Sequence, residues 1–205
     1  MLEVVALRRA ALQPASFSLA AGECLAVRGP SGAGKSLLLR AIADLDPNEG
    51  QVSLDGQARD SMTAPQWRRL VGYLPAEPGW WADSIGEHFS NWTTVSPMLD
   101  ALGLPAAACA WPVSRASTGE RLRLALVRAL SVGPRVLLLD EPTAALDAVS
   151  VAAVEALIAA KVVQGMAVLW VTHDTAQAKR VASRCLVVEA GQLRQEGPEW
   201  TAISL

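Results

Sequence analysis

The residues with the clearest chemical potential form one glycine-rich run of eight. Their spacing fits G-x-x-x-x-G-K-[ST], which is typical of a phosphate-binding loop. The run is Gly29, Pro30, Ser31, Gly32, Ala33, Gly34, Lys35 and Ser36. An apolar run precedes it and good helix formers follow it, and a strand–loop–helix junction directs backbone N–H groups and the helix dipole at one point. We therefore predict that Lys35 reaches the β- and γ-phosphates of a nucleotide and that the Ser36 hydroxyl ligates Mg²⁺.

Two carboxylates stand at the end of another apolar run, Val136–Leu139. The carboxyl ends of strands are where α/β sheets bind their ligands. Asp140 is the predicted Mg²⁺ ligand, and Glu141 is the predicted general base that polarises an attacking water. The alternative is an ordinary solvated strand end, which the phosphate loop makes the weaker interpretation.

The elements that would position these residues alternate between apolar strands and helices. This order predicts an α/β fold with a mostly parallel sheet covered by helices on both faces. Strands are predicted at 2–7, 16–20, 24–27, 51–56, 71–74, 136–140, 167–172, 185–189 and 192–195, and helices at 35–44, 117–132, 149–163 and 175–182. Between residues 76 and about 114, prolines, glycines and tryptophans interrupt the helical periodicity, which predicts a small inserted subdomain.

The composition limits the partners. The chain has 205 residues, enough for one large domain, with 51% hydrophobic and 19% charged residues. Its net charge of −2 and lack of a long basic run argue against nucleic acid. No apolar run of the ~18–20 residues that cross a bilayer is present, and the start does not fit a signal peptide, so a cytosolic chain is expected. Cys24, Cys109 and Cys185 form no metal-ligand pattern and are predicted to be buried thiols.

Four motifs together resemble those of the ATP-binding cassette (ABC) ATPases. They are the phosphate loop, Leu139–Thr143, Ala145–Asp147 and Val171–Asp174, which occur in the order and spacing of that family. The resemblance covers nearly the whole chain. It implies one RecA-like P-loop ATPase domain, with an antiparallel β subdomain near the N-terminus. Its core would comprise residues 1–75 and 126–205, and an inserted helical subdomain residues 76–125.

The resemblance also implies further site residues. Asp147 would lie in the loop that couples the two ATP sites of a homodimer, and His173 in the switch loop that contacts the γ-phosphate. Ser117 and Gly119 match the family signature sequence, although the positions around them depart from it, and would close on MgATP held by the other copy. Ser117 and Glu120 also fit a capping box, and one helix start can serve both purposes.

The implied function is the ATP-hydrolysing subunit of a transporter, which drives a separate permease from the inner face of the membrane. The run 168–174 and the compact length resemble ATPases linked to metal or iron export. Five of the seven tryptophans fall where this family docks its permease: Trp67, Trp80, Trp81, Trp92 and Trp111. A docking surface and the core of a small subdomain are both consistent with them.

Two further departures from the family pattern occur outside the signature sequence. Ala76 stands where the family has a glutamine that links Mg²⁺ to the moving subdomain, with Glu77 next to it. The region expected to stack on adenine offers Leu7, Arg8 and Arg9 rather than an aromatic ring. Ala76 and the altered signature sequence favour the alternative of a degenerate cassette that binds nucleotide as a regulator and hydrolyses little, whereas Glu141 and His173 oppose it. A small-molecule kinase is disfavoured by the signature helix after residue 117, and a DNA-repair cassette by the lack of a coiled-coil insertion.

Overall fold

A computed structural model gives the structure of residues 1–10, 12–197 and 200, so part of the predicted 126–205 segment lies outside the described residues. The described residues contain ten strands and six α-helices. The strands are β1 (Leu2–Arg9), β2 (Leu12–Leu19), β3 (Cys24–Arg28), β4 (Glu49–Leu54), β5 (Gln57–Ala58), β6 (Val71–Leu74), β7 (Val136–Asp140), β8 (Ala167–Val171), β9 (Arg184–Glu189) and β10 (Gln192–Gln195). The helices are α1 (Lys35–Ile42), α2 (Ala64–Leu70), α3 (Ser96–Ala101), α4 (Thr118–Ser131), α5 (Ala148–Val163) and α6 (Thr175–Val181).

The larger sheet has six strands in the order β10-β9-β3-β8-β7-β6. All neighbours pair in parallel except the edge strand β10, which is antiparallel to β9. The strands β7 and β8 are buried along their whole length, as expected for a parallel sheet covered on both faces. The predicted α/β architecture with a mostly parallel sheet is confirmed.

A second sheet lies near the N-terminus, with four antiparallel strands in the order β2-β1-β4-β5. This is the predicted antiparallel β subdomain, although β1 and β2 extend further toward each other than the sequence patterns indicated. Register shifts interrupt the pairing of β1 with both neighbours. These irregularities lie at the same part of β1 as the positive φ of 48° at Ala6.

The larger sheet separates two hydrophobic cores. Alternate residues of its strands face opposite sides, so Leu137 and Leu139 pack into one core while Val136 and Leu138 pack into the other. The first core includes α4 and α5, and the second includes α1 and the N-terminal sheet. Because both faces are covered, the loops at the ends of the strands are the parts of this sheet that remain accessible.

The segment between β6 and α4 contains α3 and short 3₁₀ turns around residues 86–88, 93–95, 106–110 and 113–115. Its buried apolar residues, such as Ile85, Leu99 and Trp111, join the first core. No helix in the described part of the chain combines the length and apolarity needed to span a bilayer.

Further details also differ from the sequence-based expectations, among them one helix, one tryptophan and one cysteine. The helix α2 was not predicted, because Trp67 is its only buried residue and an apolar stripe is missing. Trp67 itself is fully buried in the second core, where its Nε1 donates to the Ile42 carbonyl at 2.8 Å, and so does not belong to the tryptophan group of the inserted segment. Cys109 is half-buried rather than buried, whereas Cys24 and Cys185 are buried as predicted.

Candidate functional site

Three adjacent strands bring the candidate loops to one edge of the larger sheet. The strands β3, β8 and β7 are neighbours, and the loops that follow them begin at Gly29, Thr172 and Glu141. Backbone hydrogen bonds tie these starting points together. The Glu141 N–H donates to the Val171 carbonyl at 3.1 Å, and the Thr172 N–H donates to the Val27 carbonyl at 3.2 Å. The relative positions of the three loops are therefore set by the sheet itself.

The phosphate loop has the backbone that its glycines allow. Gly29, Gly32 and Gly34 all have positive φ, at 147°, 76° and 105°. The Lys35 ammonium lies across the start of the loop, where it donates to the carbonyls of Gly29 at 2.7 Å and Pro30 at 2.9 Å. The loop thus carries a cation at the entrance to α1.

The N-terminus of α1 offers donors to an anion. Its N-cap is Gly34, so no side chain caps the first N–H groups, and its first turn carries no acidic residue. Ser31, Gly32 and Ser36 are exposed at this end, whereas Ala33 and Gly34 are buried. Uncapped N–H groups and the positive helix end together favour a phosphate group here.

Asp140 is the last residue of β7, and its side chain is buried, with 4% of the residue exposed. The Tyr73 hydroxyl, on the adjacent strand β6, donates to Asp140 Oδ2 at 3.1 Å. Burial and the neighbouring negative charge of Asp140 raise the pKa of Tyr73, which keeps the phenol protonated as a donor. Among the described residues, Oδ1 of Asp140 receives no hydrogen bond. Together with the exposed Ser36 hydroxyl, this carboxylate supplies the hard oxygen donors that Mg²⁺ prefers.

Glu141 and His173 meet at the same edge. Nδ1 of His173 lies 3.1 Å from Oε1 and 3.0 Å from Oε2 of Glu141, and the imidazole is largely exposed. Glu141 has a φ of 50°, a left-handed conformation that costs a residue with a side chain about 1 kcal/mol or more. This left-handed conformation of Glu141 turns the chain away from the direction of β7 immediately after Asp140. The structure therefore brings the predicted base and the predicted switch histidine into direct contact.

Ser117, Gly119 and Asp147 form a separate group. Ser117 and Glu120 make the capping box at the start of α4, with Ser117 N to Glu120 Oε2 at 2.8 Å and Glu120 N to Ser117 Oγ at 3.2 Å. Asp147 caps α5, and hydrogen bonds from Ser150 lower the pKa of its carboxyl group.

Gly119 lies against the loop that precedes α5. A Cβ there would lie 3.2 Å from Leu146 Cδ2 and 3.3 Å from the Ala145 carbonyl oxygen. Within the described residues, no side-chain hydrogen bond joins Ser117, Gly119 or Asp147 to residues 29–36. The predicted site residues thus form two groups. Residues 29–36, Asp140, Glu141 and His173 lie at the sheet edge, whereas Ser117, Gly119 and Asp147 lie at the starts of α4 and α5.

The departure from the family pattern at Ala76 lies at the surface. Ala76 and Glu77 are exposed and line a cleft together with Trp80, Thr118 and Arg121. No residue of the phosphate loop lines that cleft.

The two arginines of the region expected to stack on adenine are paired with carboxylates. Arg8 pairs with Glu49, and Arg9 with Asp46, which also binds Arg40. No group of three or more His, Cys, Asp or Glu side chains suited to a metal ion occurs in the described part of the chain.

Two of the remaining tryptophans of the inserted segment, Trp80 and Trp81, contact His88. Its Nε2 accepts from the N–H groups of Trp81 at 3.0 Å and Ala82 at 3.1 Å, so this buried histidine is satisfied by the backbone. Trp80, Trp92 and Trp111 pack against the first core, whereas Trp81 is 72% exposed. The core interpretation thus applies to Trp80, Trp92 and Trp111, and the docking interpretation stays a prediction for Trp81.

A family model described as ABC transporter matches residues 12–144. Among curated proteins, the chain is 37% identical over 202 residues to the Fe(3+) ions import ATP-binding protein FbpC of Pseudomonas fluorescens, covering 91% of this chain and 57% of the relative. It is 38% identical over 194 residues to the aliphatic sulfonates import ATP-binding protein SsuB 3 of Pseudomonas syringae pv. tomato, covering 90% and 70%. The chain therefore spans little more than half the length of the iron-import relative.

Solved structures show the same fold. An ATP-binding subunit of an ABC transporter superposes with a TM-score of 0.86 at 23% identity, over 97% of this chain and 90% of that one. An ATP-bound bacterial Atm1-family ABC exporter gives 0.81 at 25% identity, over 94% and 38%. A dimeric ATP-binding cassette in a post-hydrolysis state with ADP and Pi gives 0.80 at 22% identity, over 96% and 98%.

Proposed function

Because this chain belongs to the ABC transporter family of ATP-binding proteins, we propose that it is the ATP-hydrolysing subunit of a transporter and works as a homodimer with a separate permease. The observation that carries the proposal is the contact between Glu141 and His173 at the sheet edge that also holds the phosphate loop. A binding module without hydrolysis does not require a carboxylate held in this way.

In this proposal the phosphate loop binds ATP. The N–H groups at the start of α1 and the Lys35 ammonium receive the phosphate oxygens, so the ammonium exchanges its bonds to the loop carbonyls for stronger ones to charged oxygens. Ser36 and Asp140 would hold Mg²⁺, which neutralises negative charge on the phosphates when bound. Tyr73 would fix the Asp140 carboxylate through its hydrogen bond to Oδ2.

Glu141 would act as the general base. Its carboxylate accepts the proton of the attacking water, and the imidazole of His173 restrains the carboxylate from its exposed side. Because the backbone at Glu141 leaves β7 in a left-handed turn, the carboxylate stands beyond Asp140 rather than beside it. Adjacent acids can therefore take different roles, one toward the metal and one toward water.

The second group of residues would act on the other copy's nucleotide. Ser117 is exposed at the N-terminus of α4, a helix of 14 residues, and could present its hydroxyl and the Gly119 N–H to a γ-phosphate. Asp147, held as the cap of α5, would lie between the two sites. Their separation from residues 29–36 within one copy is what a shared site between two copies requires.

We assign permease docking to the segment 76–125, as the helical subdomain. A groove beside it is lined by Tyr73, Trp81, His88, Arg128 and Val132, among others, and none of the lining residues is acidic. The Arg128 guanidinium stacks 4.6 Å from the centroid of Trp80 and 4.7 Å from that of Trp81. An exposed tryptophan at such a groove is typical of a partner site, and docking there would place the chain at the inner face of a membrane.

The names of the curated relatives favour import, of ferric or sulfonate-like substrates. The resemblance to export-linked ATPases, drawn from the run 168–174, stays an untested prediction. Nucleic acid is not part of the proposal, since the chain has a net charge of −2.

The central test is hydrolysis by the purified chain. We expect Mg²⁺-dependent release of phosphate from ATP, and its loss in Lys35→Ala. Nucleotide binding without measurable release, in the parent as well as in the variant, would instead support the regulatory module.

For the docking surface, Trp81→Ser is expected to reduce self-association without a measurable change in stability, because the ring is 72% exposed. The matched variant Trp80→Ser should instead lower the free energy of unfolding by about 1–3 kcal/mol, since part of its ring packs against the first core. Sedimentation velocity and thermal unfolding measure the two effects. Equal destabilisation by both substitutions would assign Trp81 to the core as well.

A further inference from the structure

A buried polar cluster connects the segments that carry Glu141 and His173. Thr143 lies two residues after Glu141, and Gln177 lies four residues after His173 on α6; they are 9% and 4% exposed. Oγ1 of Thr143 lies 2.9 Å from Nε2 and 3.2 Å from Oε1 of Gln177. A buried amide this well satisfied is expensive to disturb, because removing one partner leaves the others without a hydrogen bond.

Gln177 is itself held from a third element. Its Nε2 also donates to Oε1 of Glu155 on α5 at 3.0 Å. Glu155 forms a bidentate pair with Arg180, one turn along α6, at 2.8 Å and 3.0 Å. This pair fixes the orientation of the Glu155 carboxylate. Because that carboxylate accepts one hydrogen of the Gln177 amide, the other hydrogen is directed at Thr143 Oγ1.

Short backbone links connect the cluster to the two site residues. On one side, the Ala144 N–H donates to the Glu141 carbonyl at 3.2 Å, which closes a tight turn around Thr143. On the other side, Asp174 caps α6 by accepting from Gln177 N at 3.2 Å, and its own N–H donates to Thr172 Oγ1 at 3.1 Å. A displacement at either end of the amide is therefore passed to Glu141 or to His173.

Within the described residues, side-chain hydrogen bonds join the segment 141–147 to the segment 172–178 at only two pairs of residues. One is the contact between Glu141 and His173, and the other is the contact between Thr143 and Gln177. The first is exposed and adjustable, whereas the second is buried. The buried hydrogen bond thus sets the relative positions of the two segments, on which the exposed contact depends.

We propose that Gln177 is a positioning residue for hydrolysis, which holds Glu141 and His173 in register through its hydrogen bond to Thr143. This inference rests on the proposed ATPase function. A misplacement of about 1 Å from a remote substitution can cost on the order of 10²-fold in rate. Gln177 itself does not touch the phosphate loop, so nucleotide binding should be spared.

The first experiment compares Thr143→Val with Thr143→Ser in the full chain. Valine keeps the volume and removes the hydroxyl, and serine keeps the hydroxyl, so we expect kcat to fall about 10- to 100-fold in the first and to stay within about threefold in the second. The dissociation constant for ATP, measured by equilibrium binding, should stay near that of the parent in both. Equal kcat values for the two variants would overturn the proposal.

The second experiment asks whether Gln177 acts through the contact between Glu141 and His173. Gln177→Leu should lower the single-turnover rate in the parent, but should have little further effect in a chain that carries His173→Ala. A purely structural role predicts that the two losses multiply, and that outcome would refute positioning.

Unfolding temperatures identify a variant that fails to fold, and the comparison at Thr143 then decides the question. Failure of the proposed function is distinct, because the parent chain would then show no hydrolysis.

Discussion

The Glu141→Gln variant is expected to bind MgATP as tightly as the parent and to lose turnover by about 10²–10⁴-fold. The carboxamide has nearly the same shape as the carboxylate, so the phosphate loop and Asp140 should be undisturbed. It cannot accept a proton from water, and general bases contribute rate factors of this size. Steady-state phosphate release and equilibrium binding of ATP separate the two effects.

The same variant should accumulate as a dimer when MgATP is present. In the proposed function, Ser117 and Gly119 of one copy hold the ATP that is bound to the other copy. A variant that binds ATP but does not hydrolyse it should therefore keep the two copies together. Size-exclusion chromatography with and without nucleotide measures this.

A matched control is Glu77→Gln, which makes the same chemical change at an exposed carboxylate outside the phosphate loop. We expect it to retain most activity, because Glu77 lines a different cleft from the proposed base. Parental turnover in Glu141→Gln, or an equal loss of turnover in Glu77→Gln, would disprove the assignment of Glu141 as the base.

Sequence patterns predicted the bounds of an element correctly where one local signal, such as an apolar run, determines it. The strands Val71–Leu74, Val136–Asp140 and Gln192–Gln195 have the predicted bounds. The first is apolar at both ends and is followed by Pro75, and the second is an apolar run that ends in Asp140. The order of phosphate loop and acidic strand end also predicted that their residues share one edge, because the carboxyl ends of parallel strands meet there.

Contacts between distant side chains were not predictable in the same way. Tyr73 reaches Asp140 across 67 residues only because β6 and β7 pair in parallel register. The bond between Gln177 and Thr143 depends on how α6 docks on α5, which no local pattern encodes. The helix α2 did have a local signal, since Thr63 N donates to Gln66 Oε1 at 2.9 Å in a capping box that follows from their spacing.

Gly29→Ala is expected to disturb the backbone of the phosphate loop more than Gly32→Ala does. A Cβ at Gly29 would lie 2.1 Å from the backbone oxygen of Val188 in β9, and its φ of 147° is one that residues with a side chain rarely adopt. Neither atom can move aside easily, because Val188 is part of the sheet. We therefore expect the start of the loop to shift, the affinity for ATP to fall by about tenfold or more, and stability to fall by roughly 1–3 kcal/mol.

The neighbouring glycine provides the control for this prediction. Gly32→Ala places a Cβ where no atom lies within 4 Å, although its φ of 76° is also left-handed. Its cost should be limited to the backbone strain of about 1 kcal/mol, without a steric shift of the loop. Equilibrium binding of ATP and denaturant unfolding should thus separate the two variants, with Gly29→Ala the weaker binder. If both bind ATP alike, the close approach of Gly29 to β9 does not shape the site, and left-handed strain alone accounts for the glycines.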